Sequence, residues 1–209
     1  MRTITTTLYL FNELSDEAKE KAIENYRYSD HEFDWQAEMI DTIQAIAEAM
    51  NCKAEWYSYD GITYDVSFYS CETEDIEDLS GKRAWAYIWN NYLYPNRKYK
   101  TYWKDKVLYC DGRKNWKRKS KISFGWDDCP FTGYCADCCF IEAWKEWKKN
   151  FTIESKTHYG STVEDFISLV AEKLGEEWTN DNEYQMSDEY ISDFLEINEY
   201  EFNEEGEMM

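Results

Sequence analysis

The chain of 209 residues has little of what marks an enzyme or a membrane protein. It contains two histidines, far apart in sequence, and no Gly-rich phosphate loop, nucleophile elbow or H-E-x-x-H pair. No apolar run approaches the roughly 18 residues needed to span a membrane. The first residues also lack the basic start and apolar core of a signal peptide. These absences predict a soluble, intracellular protein that is not an enzyme.

Basic residues are also scarce, since 23 of them stand against 43 acidic ones and give a net charge of −20. The imbalance is uneven along the chain. Residues 1–80 sum to −14 and residues 161–209 to −15, whereas residues 81–121 sum to +11 and residues 122–160 to −2. Phosphate and carboxylate repel each other over a Debye length of about 8 Å. Direct binding of nucleic acid is therefore disfavoured.

Proline is nearly absent, with two residues, while aromatic residues are abundant: ten Trp, eighteen Tyr and ten Phe. Disordered acidic segments are poor in aromatics, so this content indicates a folded chain with a large core. Strand-like alternation and helical periodicity occur in turn, without repeats or a long linker. We therefore predict a single α+β domain over residues 1–209, with several helices packed on a small, mostly antiparallel sheet.

Local signals predict where several elements begin and end. Ser15 is the predicted N-cap of one helix, and a last helix is predicted in SDEYISDFLEI, beginning at Ser187. A third helix is predicted in STVEDFISLVAEKLGEEW, with a capping box formed by Ser161 and Glu164 and a stop at Gly175. A hairpin with an Asp-Gly turn is predicted in AEWYSYDGITYDVSFYS, and one alternating strand in TYWKDKVLYC.

Four of the seven cysteines lie close together in CPFTGYCADCC, residues 129–139. Structural zinc takes four thiolate or imidazole ligands, commonly from C-x₂₋₄-C pairs, and intracellular thiols stay reduced. A zinc-binding subregion is therefore predicted at 110–139, with ordinary buried thiols or oxidation chemistry as alternatives. The predicted ligands are Cys110, Cys129, Cys135 and Cys138, with Cys139 as an alternative to Cys138. The remaining pair, Cys52 and Cys71, is interpreted as core or surface residues.

Two charged segments are candidate binding surfaces. Basic residues around Trp116 could hold a single nucleic-acid strand by phosphate contact and stacking, which gives an alternative function as a zinc-stabilised binding module using residues 97–121. The other interpretation of this segment is a solvated loop or one that pairs with the protein's own acidic residues. Its basic residues are Arg113, Lys114, Lys117, Arg118, Lys119 and Lys121.

The acidic segment at 196–207 predicts a protein-binding surface, because a folded row of carboxylates can occupy a channel that holds DNA. The alternative is a polar tail that keeps the protein soluble. The predicted partner-binding residues are Glu196, Glu199, Glu201, Glu204, Glu205 and Glu207.

Three stretches together resemble a widespread family of small acidic proteins encoded by bacteriophages, prophages and plasmids. They are FNELSDEAKEKAIENYR, CPFTGYCAD and YQMSDEYISDFLEINEYEFNEEGE. Cys129 and Cys135 fall on the second stretch, whereas Cys138 and Cys139 are additions of this sequence.

Proteins of this origin and charge are similar to anti-CRISPR proteins that bind the type II effector nuclease, the Cas9 type. The resemblance implies an inhibitor in the cytoplasm of a bacterial host, which blocks DNA loading or cleavage by protein–protein contact. Its partner would be an RNA-guided nuclease or another basic nucleic-acid-handling protein. An acidic DNA mimic directed against a restriction enzyme is the alternative.

Overall fold

The computed structural model describes residues 7–29, 35–71, 79–93, 99–104, 107–110, 122–125, 131–150 and 162–209. These residues form an α+β protein, as the sequence predicted. The helices are α1 (Asp16–Arg27), α2 (Trp35–Ala49), α3 (Gly81–Tyr87), α4 (Asp137–Asn150), α5 (Val163–Gln185) and α6 (Asp188–Ile197). The strands are β1 (Tyr9–Leu10), β2 (Lys53–Ser58), β3 (Tyr64–Tyr69), β4 (Tyr99–Lys104), β5 (Val107–Cys110), β6 (Ile122–Gly125) and β7 (Glu201–Phe202).

Two compact units make up the chain, where the sequence predicted one domain. Unit 1 comprises Met1–Asp34 and Thr179–Met209, and unit 2 comprises Trp35–Trp178. The division separates the aromatic residues unevenly, because all ten tryptophans belong to unit 2. None of the described helices is long and apolar enough to cross a membrane.

Unit 1 is built around α1, α6 and a two-stranded antiparallel sheet of β1 and β7. The predicted N-cap of α1 is confirmed, since the Ser15 side chain accepts the amide of Ala18. The last helix was predicted to begin at Ser187; it begins at Asp188, and the Ser187 side chain caps it by accepting the amide of Tyr190. Small and apolar residues spaced along the two helices then face each other. The core residues are Phe11, Leu14, Ala18, Ala22, Ile191, Leu195 and Phe202.

Unit 2 packs α2, α3 and α4 with a long stretch of α5 around an aromatic core. The predicted hairpin is confirmed, since β2 and β3 pair antiparallel from Lys53 opposite Tyr69 to Ser58 opposite Tyr64. Along the strands, partly buried residues that face the core alternate with exposed residues on the outer face. This pattern is typical of a sheet with one buried face. After α3 the chain continues as a π-helix, Ile88–Leu93, which buries Tyr92.

A three-stranded antiparallel sheet in the order β5–β4–β6 completes the described part of unit 2. The single strand predicted in TYWKDKVLYC is wrong, because that stretch forms the pair β4 and β5, with Lys104 opposite Val107. Alternation continues across the two strands of a tight hairpin, so periodicity alone did not locate the reversal.

Of the two boundary predictions for α5, the stop at Gly175 is wrong, and the predicted capping box falls on Ser161, which lies outside the described residues. The helix is capped by Thr162, whose Oγ1 accepts the amide of Asp165 at 3.0 Å while the Asp165 carboxylate accepts the Thr162 amide at 2.7 Å. Gly175 does not stop the helix, which runs on to Gln185. A Cβ on Gly175 would lie 2.9 Å from the carbonyl oxygen of Tyr64, so this glycine permits close packing of α5 on the hairpin.

A disulfide joins Cys52, just before β2, to Cys71, just after β3. The sequence interpretation of these two cysteines as core or surface residues missed this bond. Hairpin pairing brings the two positions together, because β2 and β3 align over their full length. The sequence signal was therefore the hairpin itself, with one cysteine at each outer end.

Candidate functional site

The acidic segment that follows α6 has a defined backbone. A turn at residues 203–207 is closed by Asn203, whose side-chain oxygen accepts the amides of Glu205 at 3.0 Å and Glu207 at 2.9 Å. The Asn203 amide donates to the Glu207 carbonyl at 2.9 Å, and the Gly206 amide donates to the Asn203 carbonyl at 3.1 Å. We call residues 203–207 the acidic turn.

The acidic turn packs directly against α1. Gly206 has φ +78°, and a Cβ there would overlap the carbonyl oxygen of Ala18 and lie 3.0 Å from its carbonyl carbon. One residue before the turn, Phe202 is fully buried and its ring lies 6.1 Å from that of Phe11. Residues 201–207 are therefore anchored to the core of unit 1.

All six glutamates predicted to bind a partner are exposed. They lie in the last turn of α6, in the connection to β7, in β7 itself and in the acidic turn: Glu196, Glu199, Glu201, Glu204, Glu205 and Glu207. Glu199 has φ +53° where the chain leaves α6, a backbone conformation that non-glycine residues rarely adopt. The described part of unit 1 holds 16 acidic and 3 basic side chains, which is a net charge of −13.

Two of those three basic residues are paired within unit 1. Lys21 lies 3.4 Å from the Glu207 carboxylate and 3.8 Å from that of Glu205. Arg27 pairs with Asp188 and also donates to the carbonyl of Met186. The pKa of Glu207 is lowered, first by the hydrogen bond from Asn203 and then by Lys21. Its carboxylate is thus held both in place and in its charged form.

The described part of the cysteine cluster, with Cys135, Cys138 and Cys139, lies at the N-terminus of α4. Asp137 is fully buried there and accepts the amides of Phe131 and Gly133, each at 2.9 Å, and the hydroxyl of Thr132 at 3.2 Å. These bonds fold residues 131–134 over the start of the helix. The thiols of the cluster point into different environments: Cys135 is exposed, Cys138 is half-buried and Cys139 is 2 % exposed.

The pKa of Cys138 is raised by burial and then by the carboxylates of Glu142 and Glu177. Burial likewise raises the pKa of Cys139. These surroundings raise the thiol pKa, whereas the pKa of a nucleophilic cysteine is lowered by its surroundings. Of the three, Cys139 is the least suited to bind a metal, because its thiol is enclosed in the core.

Among the residues that the structure describes, no group of three or more Cys, His, Asp or Glu side chains is arranged to hold a metal ion. Cys129 lies outside those residues, and Cys110 ends β5. The basic segment at 111–121 and both histidines, His31 and His158, also lie outside the described residues. The predicted zinc site and the predicted nucleic-acid-binding module therefore stay predictions.

Sequence reasoning found the exposed carboxylates but missed the residues that hold them. Asn203 and Gly206 fix the acidic turn, and the spacing N-E-E-G in FNEEGE is the kind of pattern that turns use. Comparison of the chain with protein-family models, with curated proteins and with solved structures finds no match. The resemblance to phage-encoded acidic proteins stays a prediction.

Proposed function

We propose that this protein is a non-catalytic inhibitor of a basic, nucleic-acid-handling bacterial nuclease, the type II CRISPR effector. It binds through the exposed carboxylates of unit 1 and blocks DNA loading or cleavage by protein–protein contact. The observation that carries the proposal is the anchoring of those carboxylates on ordered backbone, with Phe202 and Gly206 packed into unit 1.

Anchoring matters because a flexible acidic tail loses conformational entropy when it binds, whereas a preorganised surface does not. Duplex DNA carries one negative charge per about 1.7 Å of its axis, and RNA-guided nucleases hold nucleic acid in positively charged channels. A rigid protein surface that is negatively charged like DNA competes for the same basic residues of the channel. Its charge also steers the encounter and raises the association rate.

The distribution of charge between the units supports the same conclusion. Unit 1 has 65 residues, of which 19 are acidic and 4 are basic, so it carries −15 of the net −20. Residues 81–121, whose charges sum to +11, belong to unit 2. The acidic charge is therefore concentrated in one small unit, whose own sequence contains none of the cations of residues 81–121.

A cleavage and pull-down assay with the purified nuclease tests the proposal. We expect the wild-type protein to co-purify with the nuclease at moderate salt and to suppress DNA cleavage. A triple variant, Glu199→Gln, Glu201→Gln and Glu204→Gln, should associate about tenfold more slowly and depend less on salt. A matched control removes three exposed carboxylates of unit 2 instead: Glu48→Gln, Glu164→Gln and Glu172→Gln.

The control variant loses the same net charge and should inhibit like the wild type. An equal loss in both variants would mean that only overall charge matters, which contradicts a site on unit 1. Absence of binding together with undiminished cleavage would eliminate the CRISPR nuclease as target. Co-purification of a restriction enzyme in its place would establish the anti-restriction alternative.

A structural zinc ion is part of the proposal, with Cys110, Cys129, Cys135 and Cys138 as ligands. What supports it is the adjacency of Cys135 and Cys138, which share the turn that starts α4, and the partial exposure of Cys138. Such an ion would add folding free energy to unit 2. Elemental analysis should find one zinc per chain that is lost in Cys135→Ser and retained in Cys139→Ser. A metal-free wild-type protein would contradict this part of the proposal.

A further inference from the structure

The small sheet of unit 1 exposes an apolar face. In its register Tyr9 lies opposite Phe202 and Leu10 opposite Glu201, and opposite residues of an antiparallel pair share a face. Phe202 is fully buried and Tyr9 packs with it against the core, so Leu10 and Glu201 point outward. Leu8 precedes Tyr9 and is exposed like Leu10, at 42 % and 38 %.

Met209 extends this face on the other side of β7. Its amide donates to the Glu201 carbonyl at 3.0 Å, and Met208 bridges to Phe202. Successive residues of an extended chain alternate between faces, so Met209 lies on the side of Glu201. It is 68 % exposed. We call Leu8, Leu10 and Met209 the apolar face of unit 1.

Carboxylates border the apolar face. Glu201 lies on it, Glu13 accepts the amide of Leu10 at 2.9 Å, and Glu207 is two residues before Met209. With a net charge of −13 over the described part of unit 1, two copies of this face would bring like charges together. Nucleic acid and anionic lipid would be repelled for the same reason. The complementary occupant is a basic protein surface with an apolar centre.

We propose that the apolar face anchors the basic protein partner, with Leu8, Leu10 and Met209 receiving an apolar side chain that lysine or arginine residues surround. The inference rests on the proposed function, since that function supplies a basic partner, and it adds where and how the partner is held. Burial of the apolar side chains prolongs the complex, because buried area acts on dissociation. The carboxylates accelerate association.

Two synthetic peptides test the anchor without the nuclease. One is a helical peptide with leucine on one face and lysine on the other, and the second has alanine in place of every leucine, with the same charge. The full-length protein should bind the leucine peptide at least tenfold more tightly than the alanine peptide at physiological salt, measured by fluorescence anisotropy. Leu10→Ser should remove most of that difference, and Met209→Ser should reduce it.

Tyr28→Ser provides the matched control. Tyr28 is 79 % exposed on the same unit, but it follows the C-terminus of α1, ten residues or about 15 Å along the helix from Ala18, against which the acidic turn packs. This variant should bind both peptides like the wild type. Thermal melting checks that each variant is folded, and Met209→Ser gives a second reading in case Leu10→Ser unfolds β1.

Equal binding of the two peptides, or a Leu10→Ser variant that still prefers the leucine peptide, would overturn the anchor. Sedimentation could also show that the wild-type protein is a dimer and that Leu10→Ser dissociates it. That result would assign the apolar face to contact with a second copy of the chain and would overturn the anchor. The nuclease assay separates this inference from the proposed function. Nuclease inhibition that is undiminished in Leu10→Ser would leave the proposed function standing and remove the anchor alone.

Discussion

Replacing Gly206 by alanine should loosen the acidic turn from α1 without changing the charge of the protein. Gly206 has φ +78°, and an alanine in that conformation costs about 1 to 2 kcal/mol. Its Cβ would also overlap the backbone of Ala18. Because that neighbour is backbone within a helix, the turn has to move, and movement of the turn uncovers Phe202.

The size of the effect follows from these two contributions. Full exposure of a buried phenylalanine costs about 1.5 to 3 kcal/mol. A displaced turn would expose part of the Phe202 side chain and so would cost part of this free energy. With the conformational term, the free energy of unfolding of unit 1 should fall by about 3 kcal/mol. Gly61→Ala is the matched control, since Gly61 also has φ +78° but has no atom near the position of the added Cβ. It should cost about 1 to 2 kcal/mol.

Hydrogen exchange as a function of urea concentration, read by mass spectrometry, measures both variants. Peptides that cover α1 and β7 report on Gly206→Ala, and peptides of the β2–β3 hairpin report on Gly61→Ala. Tryptophan fluorescence is unsuitable for unit 1, because all ten tryptophans belong to unit 2. Equal destabilisation by the two substitutions would refute the argument, since it would mean that contact with Ala18 adds nothing.

Three further outcomes are expected. Gly175→Ala should lower stability in urea denaturation, because overlap with the backbone of β3 outweighs the gain of about 1 kcal/mol in helix propensity; a stabilised variant would contradict this. Reduction of the Cys52–Cys71 disulfide, separated by 19 residues, should cost about 3 kcal/mol, seen as a lower melting temperature. In an NMR titration the lowered pKa of Glu207 should rise in Asn203→Ala. The Glu207 carboxylate should stabilise the folded protein fully above the pKa that Glu207 has in the unfolded chain. This stabilisation should be lost as pH falls through the lower pKa of Glu207 in the folded protein.

Local sequence signals predicted the structure correctly where a single residue determines the local backbone conformation. Ser15 caps α1 as predicted, and the last helix starts within one residue of the predicted Ser187, because capping depends on a side chain and an amide three residues away. The Asp-Gly turn located the hairpin for the same reason. Such features are encoded over a few residues, so they can be recognised without tertiary structure.

The errors arose where distant contacts override local preference. Gly175 has the signature of a helix end, but packing of α5 on the hairpin explains why glycine is needed there. The stretch TYWKDKVLYC alternates like a single strand, yet it pairs with itself as β4 and β5. Neither outcome follows from propensity, because each depends on which segment lies opposite in the fold.

The charge of unit 1 argues against a role in solubility alone. A net charge of about 2 to 8 in magnitude is enough to keep a small domain soluble, whereas unit 1 carries −15 in 65 residues. Like charges on one compact body repel and lower its stability, yet residues 201–207, which carry four of the six predicted glutamates, are anchored by burial of Phe202 and packing of Gly206 on α1. If solubility were the only role, the carboxylates could sit on a loose tail, where their repulsion is weaker. The proposed function predicts this placement on anchored backbone, because carboxylates at fixed positions would match fixed cations on a protein partner.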